Sequence, residues 1–420
     1  MTVIGLGYVG LPLAALCAEK GYRTYGITLE AKKVSMVNKG VSPIANDAEL
    51  AVSVAKKHIV ATRNAKVIRQ SDIVLMCVPT PVDKLYNPDL SPVRSAALKI
   101  SLNLRKGQLI IIESTINPGV CEEVILPILQ KGGKVAGRDF FLAHCPERIN
   151  PGDPTWNVRN IPRVVGGITH RCSRLAAKFY RSILESDIRE MKSIKEAEAT
   201  KIVENSFRDI NIAFVNELAK SFDKLGIDVY DVIQGAATKP FAFMAHYPSC
   251  GVGGHCIPVD PYYLIERAKQ SGFDHRFLRI AREINNSMPA YTVNHLIRQL
   301  NKLKMPLSGT SIGVCGISYK AEVSDIRESS SLKIISLLKE FGAKVRTYDP
   351  YLLEQSTDKS LIELLRHSDG MIIATNHREF VEMDIRKLRK YGIKVVIDGK
   401  NCLDKDGIVR LGMAYKGIGR

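Results

Sequence analysis

The hexapeptide Gly5-Leu6-Gly7-Tyr8-Val9-Gly10 constrains this chain more than any other stretch. It follows a short apolar strand at residues 2–5 and opens a helix at 11–20 that stops at Gly21. Glycines at this spacing permit a tight turn. They also let a pyrophosphate approach the helix N-terminus, where free N–H groups and the helix dipole favour an anion. Taken alone, such a turn can equally need glycine for packing, so the surrounding pattern has to decide.

That pattern is an alternation of strands and helices. Residues 24–28 form a second strand, and 73–78 and 109–113 are nearly continuous apolar runs, as expected when both faces of a parallel sheet are covered; 140–143 and 163–165 continue the pattern. From 195 to 225 no turn signal interrupts the chain. Ile202, Val203, Phe207, Ile210, Ala213, Phe214 and Leu218 recur at helical spacing, which predicts one long helix and a surface for a second subunit. Further helices are expected at 230–235 and 274–287. After Pro306-Leu307-Ser308-Gly309 the alternation resumes, with strands at 311–315, 344–348, 370–374 and 394–397. The predicted fold is α/β: two Rossmann-like doubly wound domains joined by a central helical domain. The domains are placed at 1–194, 195–304 and 305–420.

Composition narrows the class. At 420 residues, 45% hydrophobic and 25% charged, the chain has the balance of a soluble globular protein, and no apolar run is long enough to span a membrane. Residues 3–16 resemble a signal segment but carry three glycines and a proline and lack a basic leader. Nine scattered cysteines, with no CxxC pair and no metal-ligand spacing, predict reduced thiols in a cytoplasmic protein without a metal site. The net charge of +17 suits an anionic substrate and cofactor. Its basic residues are dispersed, without a nucleic-acid-binding signature, so a basic solvated surface accounts for most of it and no nucleic-acid partner is expected.

The chemistry concentrates at Gly251-Val252-Gly253-Gly254-His255-Cys256-Ile257-Pro258-Val259-Asp260-Pro261. One cysteine lies in a glycine-rich loop stiffened by prolines, with a carboxylate four residues on. In a chain that opens with a dinucleotide turn, this combination points to covalent chemistry coupled to hydride transfer. A tight turn around a buried cysteine is the plainer alternative.

These features together resemble the UDP-glucose/GDP-mannose dehydrogenase superfamily of nucleotide-sugar 6-dehydrogenases. The anchors run through the whole chain: the Gly5 to Gly10 turn, Val78-Pro79-Thr80-Pro81, Glu113-Ser114-Thr115, Pro146-Glu147-Arg148, Lys201 with Asn205, Gly253 to Asp260, Tyr319-Lys320, and Asp325-Ile326-Arg327-Glu328-Ser329. The resemblance implies a four-electron oxidation of a sugar CH2OH to a carboxylate, in two NAD-dependent steps through an aldehyde and a cysteine thioester. Cys256 is then the nucleophile and Asp260 its acid/base partner. Lys201 and Asn205, one helical turn apart, stabilise the alkoxide and the tetrahedral oxyanion. Glu147 helps activate the hydrolytic water, with Arg148 and Ile149 beside it on the substrate side. Thr80 and Thr115, just past strand ends, contact the cofactor with Gly5, Gly7, Tyr8, Val9 and Gly10, and Thr115 is also counted with the catalytic set. Arg208, Gly253, Tyr319 and Lys320 belong to the sugar-nucleotide site, and Arg327 reaches towards the cofactor. A homodimer built on the 195–225 helix is also implied.

The chain departs from the pattern in places. Thr28 stands where an acidic residue normally binds the adenosine ribose, Glu30 comes two residues late, and Lys32 and Lys33 follow. Either Glu30 compensates, with Lys33 beside it at the cofactor, or NAD preference is weakened, or NADP is tolerated. Residues 46–50 lack the usual Glu-Pro-Gly-Leu, Ser324 replaces a commoner acid, and Cys250 follows Pro248-Ser249 where Pro-Gly-Pro is common. Pro151 replaces a second glutamate, and with Glu204 to Asp209 it is similar to the N-acetylhexosamine branches. The expected substrate is UDP-N-acetylmannosamine or UDP-N-acetylglucosamine, with UDP-glucose as an alternative. The product would serve polysaccharide synthesis. A nucleotide-sugar-binding paralogue without turnover is the remaining alternative.

Overall fold

The computed structural model describes residues 1–44, 48–56, 58–83, 87–149 and 155–420. It divides into two compact units. One comprises residues 1–204 and 262–274, the other 205–261 and 275–420. The helix Ile194–Leu225 belongs to both. Pro151 and residues 46–47 lie outside the described residues.

In the first unit, alternation of apolar strands with helices builds one eight-stranded sheet. Its strands are β1 (Thr2–Ile4), β2 (Thr24–Ile27), β3 (Ile59–Thr62), β4 (Ile73–Met76), β5 (Leu109–Ile112), β6 (Phe141–His144), β7 (Arg163–Gly167) and β8 (Ile188–Glu190). The order is β3-β2-β1-β4-β5-β6-β7-β8, parallel except where β6 meets β7. Alternate residues of the inner strands feed opposite faces, as a period of two requires. Val3, Leu75 and Ile111 pack into one apolar layer, while Ile4, Val74, Met76, Ile110 and Ile112 pack into the other. The strand order reverses between β1 and β4, so the glycine turn after β1 sits at the switch point of a doubly wound sheet.

In the second unit, five parallel strands form a second sheet: β9 (Ser311–Cys315), β10 (Lys344–Tyr348), β11 (Gly370–Ile373), β12 (Val395–Asp398) and β13 (Ala414–Gly417), in the order β10-β9-β11-β12-β13. Before this sheet the unit carries the rest of the long helix, the helix Val229–Ala237 and the loop that holds Cys256. The helix Arg276–Lys302 runs through Pro289, whereas the sequence pattern ends it near 287. Met288, Pro289, Thr292, Val293, Leu296 and Leu300 are all buried along it. Burial of that stripe outweighs the one backbone hydrogen bond the proline cannot donate.

Candidate active site

The turn after β1 separates two uses of glycine. Gly5 adopts φ +98°, and a Cβ there would lie 2.4 Å from the Cys77 carbonyl oxygen. A Cβ on Gly10 would lie 1.9 Å from the Gly5 carbonyl oxygen. Both glycines are demanded by the packing of the turn itself. A Cβ on Gly7 would meet nothing within 4 Å, so glycine at that position answers to close approach from outside the chain. Gly10 opens the helix Gly10–Glu19, whose first turn holds no acidic residue, so the helix dipole there is left to favour an anion. Tyr8 is exposed beside it, and Val9 caps the helix. This cradle fits the pyrophosphate of a dinucleotide. Thr28 is buried at the end of β2. Glu30 caps the next helix with its carboxylate exposed, 2.6 Å from the Lys33 ammonium. Thr80 is buried and its carbonyl accepts the Tyr263 hydroxyl at 2.5 Å, while Thr115 is half-buried just beyond β5.

Glu147 is fixed by a buried charge cluster that sequence reasoning does not single out. One carboxylate oxygen accepts the N–H groups of Arg148 and Ile149, both at 2.6 Å. The other lies 2.8 Å from the guanidinium of Arg163. Arg163 also donates to Glu113 at 2.9 Å, and Glu113 accepts the Tyr180 hydroxyl. Arg163, Glu113 and Tyr180 are fully enclosed, so two carboxylates share one cation away from water. Burial pushes the Glu113 carboxyl up, to about 7, against the pull of Arg163 and with the Glu147 charge adding to the rise. The one sequence signal was an arginine opening the otherwise apolar strand β7. Arg148 itself turns to Glu204, at 2.6 Å, and to the Pro162 carbonyl.

Lys201 is buried on the long helix, and Glu198 lies one turn before it. The Glu198 carboxylate accepts the N–H groups of Gly119, at 2.5 Å, and Cys121, at 2.8 Å. It therefore ties this helix to the chain segment that follows Thr115.

The second unit gathers Asn205, Gly253, Cys256, Asp260, Tyr319 and Arg327. Of the nine cysteines, Cys256 is the exposed one; the others are buried or partly so. The loop returns on itself, with the Asp260 N–H donating to the Cys256 carbonyl at 2.8 Å. Asp260 then starts the helix Asp260–Gln270 and accepts a 2.5 Å hydrogen bond from the Asn205 amide. A Cβ on Gly253 would lie 2.7 Å from the Tyr319 Cβ, and one on Gly254, at φ +92°, 2.7 Å from the Tyr319 ring. These glycines let the cysteine loop lie flat against Tyr319. The Gly254 N–H donates to the Arg327 carbonyl at 3.0 Å, and the Arg327 guanidinium grips both oxygens of Asp325. Burial, and then the Arg327 charge, hold the His255 imidazole below its usual range. Lys320 is half-buried and Arg208 exposed. Cys250 is an apolar filler: it is buried among Val293, Leu296 and Ile312, with its thiol on the Ala374 carbonyl at 3.4 Å.

A dinucleotide cradle at the switch point of one Rossmann sheet, a second such sheet, and an exposed thiol four residues before a hydrogen-bonded carboxylate define a nicotinamide-dependent dehydrogenase. Residues 1–184 match the NAD binding domain of the UDP-glucose/GDP-mannose dehydrogenase family, 195–287 its central domain and 313–405 its UDP binding domain. The chain belongs to this family and is an NAD-dependent nucleotide-sugar dehydrogenase. It is 35% identical to the UDP-N-acetyl-D-mannosamine dehydrogenase of Pyrococcus horikoshii, over 100% of this chain and 99% of that one. The solved structure of the Pyrococcus enzyme superposes with a TM-score of 0.93. Identity to the UDP-N-acetyl-D-glucosamine 6-dehydrogenase of Pseudomonas aeruginosa is also 35%, over 97% of each chain. A UDP-glucose dehydrogenase from Pyrobaculum islandicum has a TM-score of 0.88 at 26% identity, covering 100% of this chain and 97% of that one.

Proposed function

We propose that this chain oxidises C6 of a UDP-N-acetylhexosamine, UDP-N-acetylmannosamine or UDP-N-acetylglucosamine, to the uronate through a thioester on Cys256. The observation that carries the reading is the exposed Cys256 thiol in a loop shared with the Asn205–Asp260 pair. NAD would be held by Gly5, Gly7, Tyr8, Val9, Gly10, Thr80, Thr115 and Arg327 and would supply the hydride acceptor for each of the two oxidations. The first takes a hydride from C6 and the hydroxyl proton, leaving an aldehyde. The Cys256 sulfur adds to that carbonyl carbon, and the thiohemiacetal oxygen is stabilised by the Lys201 ammonium and the Asn205 amide. Loss of the second hydride leaves the thioester. Water then attacks the acyl carbon, the C–S bond breaks, and the acid leaves with the thiol restored. Asp260, oriented by Asn205, serves as acid/base for these proton transfers. Glu147, held by two N–H groups and by Arg163, orients the water, with Thr115 in the same set. Arg148, Ile149, Arg208, Gly253, Tyr319 and Lys320 contact the UDP-sugar.

The exposed carboxylate of Glu30 serves the adenosine ribose, with Lys33 as its partner, and NAD rather than NADP is the preferred cofactor. The N-acetylhexosamine preference follows the names of two of the relatives at 35% identity. UDP-glucose remains the second reading, favoured by the Pyrobaculum structure. Domains at 1–194, 195–304 and 305–420 divide the work into cofactor, dimer and UDP-sugar binding. The experiment is NADH formation against UDP-glucose, UDP-N-acetylglucosamine, UDP-N-acetylmannosamine and UDP-N-acetylgalactosamine, each with NAD and with NADP. Turnover of one N-acetylhexosamine with two NADH per acid is the expected result. Turnover of UDP-glucose alone would give the second reading, and silence with every sugar would remove both.

A further inference from the structure

The second sheet carries a buried cluster that the chemistry above does not use. Asp349 follows β10, Ser318 follows β9, and Thr375 and His377 follow β11. These three strands are neighbours in the order β10-β9-β11, all parallel. The four residues therefore converge at the carboxyl edge of the sheet, around its switch point, where open α/β sheets bind ligands. All four are fully enclosed.

The hydrogen bonds fix one proton arrangement. His377 Nδ1 accepts the Glu322 N–H at 3.0 Å, so the ring proton sits on Nε2. Nε2 faces Ser318 Oγ at 3.0 Å and Asp349 Oδ2 at 3.2 Å. Ser318 Oγ passes the pattern on, donating to the Lys320 carbonyl at 3.1 Å. Asp349 Oδ2 also accepts the N–H groups of Ile317, at 2.8 Å, and Ser318, at 2.9 Å, and Thr375 holds the Ser318 carbonyl at 2.5 Å. The far side is closed by Glu322, whose carboxylate accepts the Tyr351 hydroxyl and the Arg378 N–H. The Tyr351 ring stacks on His377, centroids 5.1 Å apart and planes at 25°. The histidine thus grips the chain on both sides of Tyr319-Lys320, at 318 and at 322. Glu322 is held at φ +62°, a conformation unfavourable for a side chain other than glycine. That cost makes sense where a loop must be held in one shape. Tyr319, in turn, is the residue against which Gly253 and Gly254 pack, three and two residues before Cys256.

We propose that His377, with Asp349, is a positioning residue that holds Tyr319 and Lys320 in the geometry that receives the UDP moiety and seats the cysteine loop. The proposal rests on the reading of the chain as a UDP-sugar enzyme. Its test uses UDP itself as the probe, with calorimetric dissociation constants for the wild-type protein, His377→Phe, His377→Gln and Tyr351→Phe. Apparent KM values for NAD and for the sugar nucleotide turned over are measured alongside. His377→Phe keeps the ring contacts and removes both nitrogens. It is expected to weaken UDP binding and raise the sugar-nucleotide KM about tenfold or more, leaving the NAD KM within about twofold. His377→Gln, which keeps a donor near Nε2, recovers part of the loss. Tyr351→Phe, which keeps the stack and frees Glu322, costs about threefold. A folded His377→Phe protein that binds UDP as well as wild type overturns the proposal, as does an NAD KM that rises in parallel. If His377→Phe does not fold, unchanged UDP binding by Tyr351→Phe overturns it. Wild-type protein that binds no UDP removes the UDP-sugar reading itself and the clamp with it.

Discussion

Exposure separates the thiols of this chain more sharply than sequence context does. Burial pushes Cys17, Cys77, Cys121, Cys145 and Cys315 well above the ordinary thiol range, so they stay protonated and inert at neutral pH. Cys256 is the exposed thiol, in a loop that also carries His255 and Asp260. Cys256→Ser replaces the sulfur with a hydroxyl that neither ionises nor adds to an aldehyde readily at neutral pH. The expected outcome is a loss of acid formation by a factor on the order of a thousand or more, with UDP and NAD affinities within about twofold of wild type. NADH release and the acid product, followed together by absorbance and mass spectrometry, check this. Undiminished acid formation would remove the thioester.

At the scale of elements, the two glycine roles in the turn after β1 make a paired prediction. Gly10→Ala drives a Cβ into the Gly5 carbonyl oxygen, and some part of the turn has to move, so a loss of about 1–3 kcal/mol in unfolding free energy is expected. Gly7→Ala meets no atom of the chain, so stability should hold within about 1 kcal/mol while the NAD KM rises about tenfold or more. Denaturant titration and steady-state kinetics separate the two; equal effects on both quantities in both variants would contradict the division. The sequence made this turn legible because its glycines are adjacent in the chain, and the buried parallel strands because both faces are apolar. The strands β3, β8 and β13 escaped. They are three or four residues long, and β8 carries Arg189 and Glu190, so neighbouring strands rather than their own pattern define them. The cysteine loop was legible for the same reason as the turn. The Glu113–Arg163–Tyr180 and Ser318–Asp349–His377 clusters were not. Each is assembled from single residues well apart in the chain, brought together by strand order and, for Tyr180, by the packing of the helix His170–Ile183.

For the whole molecule, the long helix leaves Val203, Phe207 and Phe214 exposed by 57%, 49% and 54%. At 100° per residue these three fall within about 40° of one another on one face. An apolar stripe of this kind is expected to be covered in a homodimer. The double variant Phe207→Asp, Phe214→Asp should halve the mass seen by light scattering, and an unchanged mass would exclude this face as the interface. A second property of the molecule as a whole, its stability against pH, is set partly by Glu198. Burial pushes this carboxyl from the ordinary 4.5 up to about 7, despite the two N–H groups it accepts. A folded acid that keeps its proton longer than the unfolded chain does favours folding at low pH. Its contribution is full below about 4.5 and is lost as the pH rises through about 7, where a buried carboxylate has to ionise. Glu198→Gln carries no charge at any pH. It starts less stable, because its amide nitrogen cannot accept one of the two N–H groups, but it does not pay the ionisation cost. The stability gap to wild type should therefore narrow between about pH 5 and pH 8, by roughly 1–3 kcal/mol in chemical denaturation. A gap that stays constant, or widens, across that range would mean that Glu198 is ionised throughout and that its two backbone donors outweigh its burial.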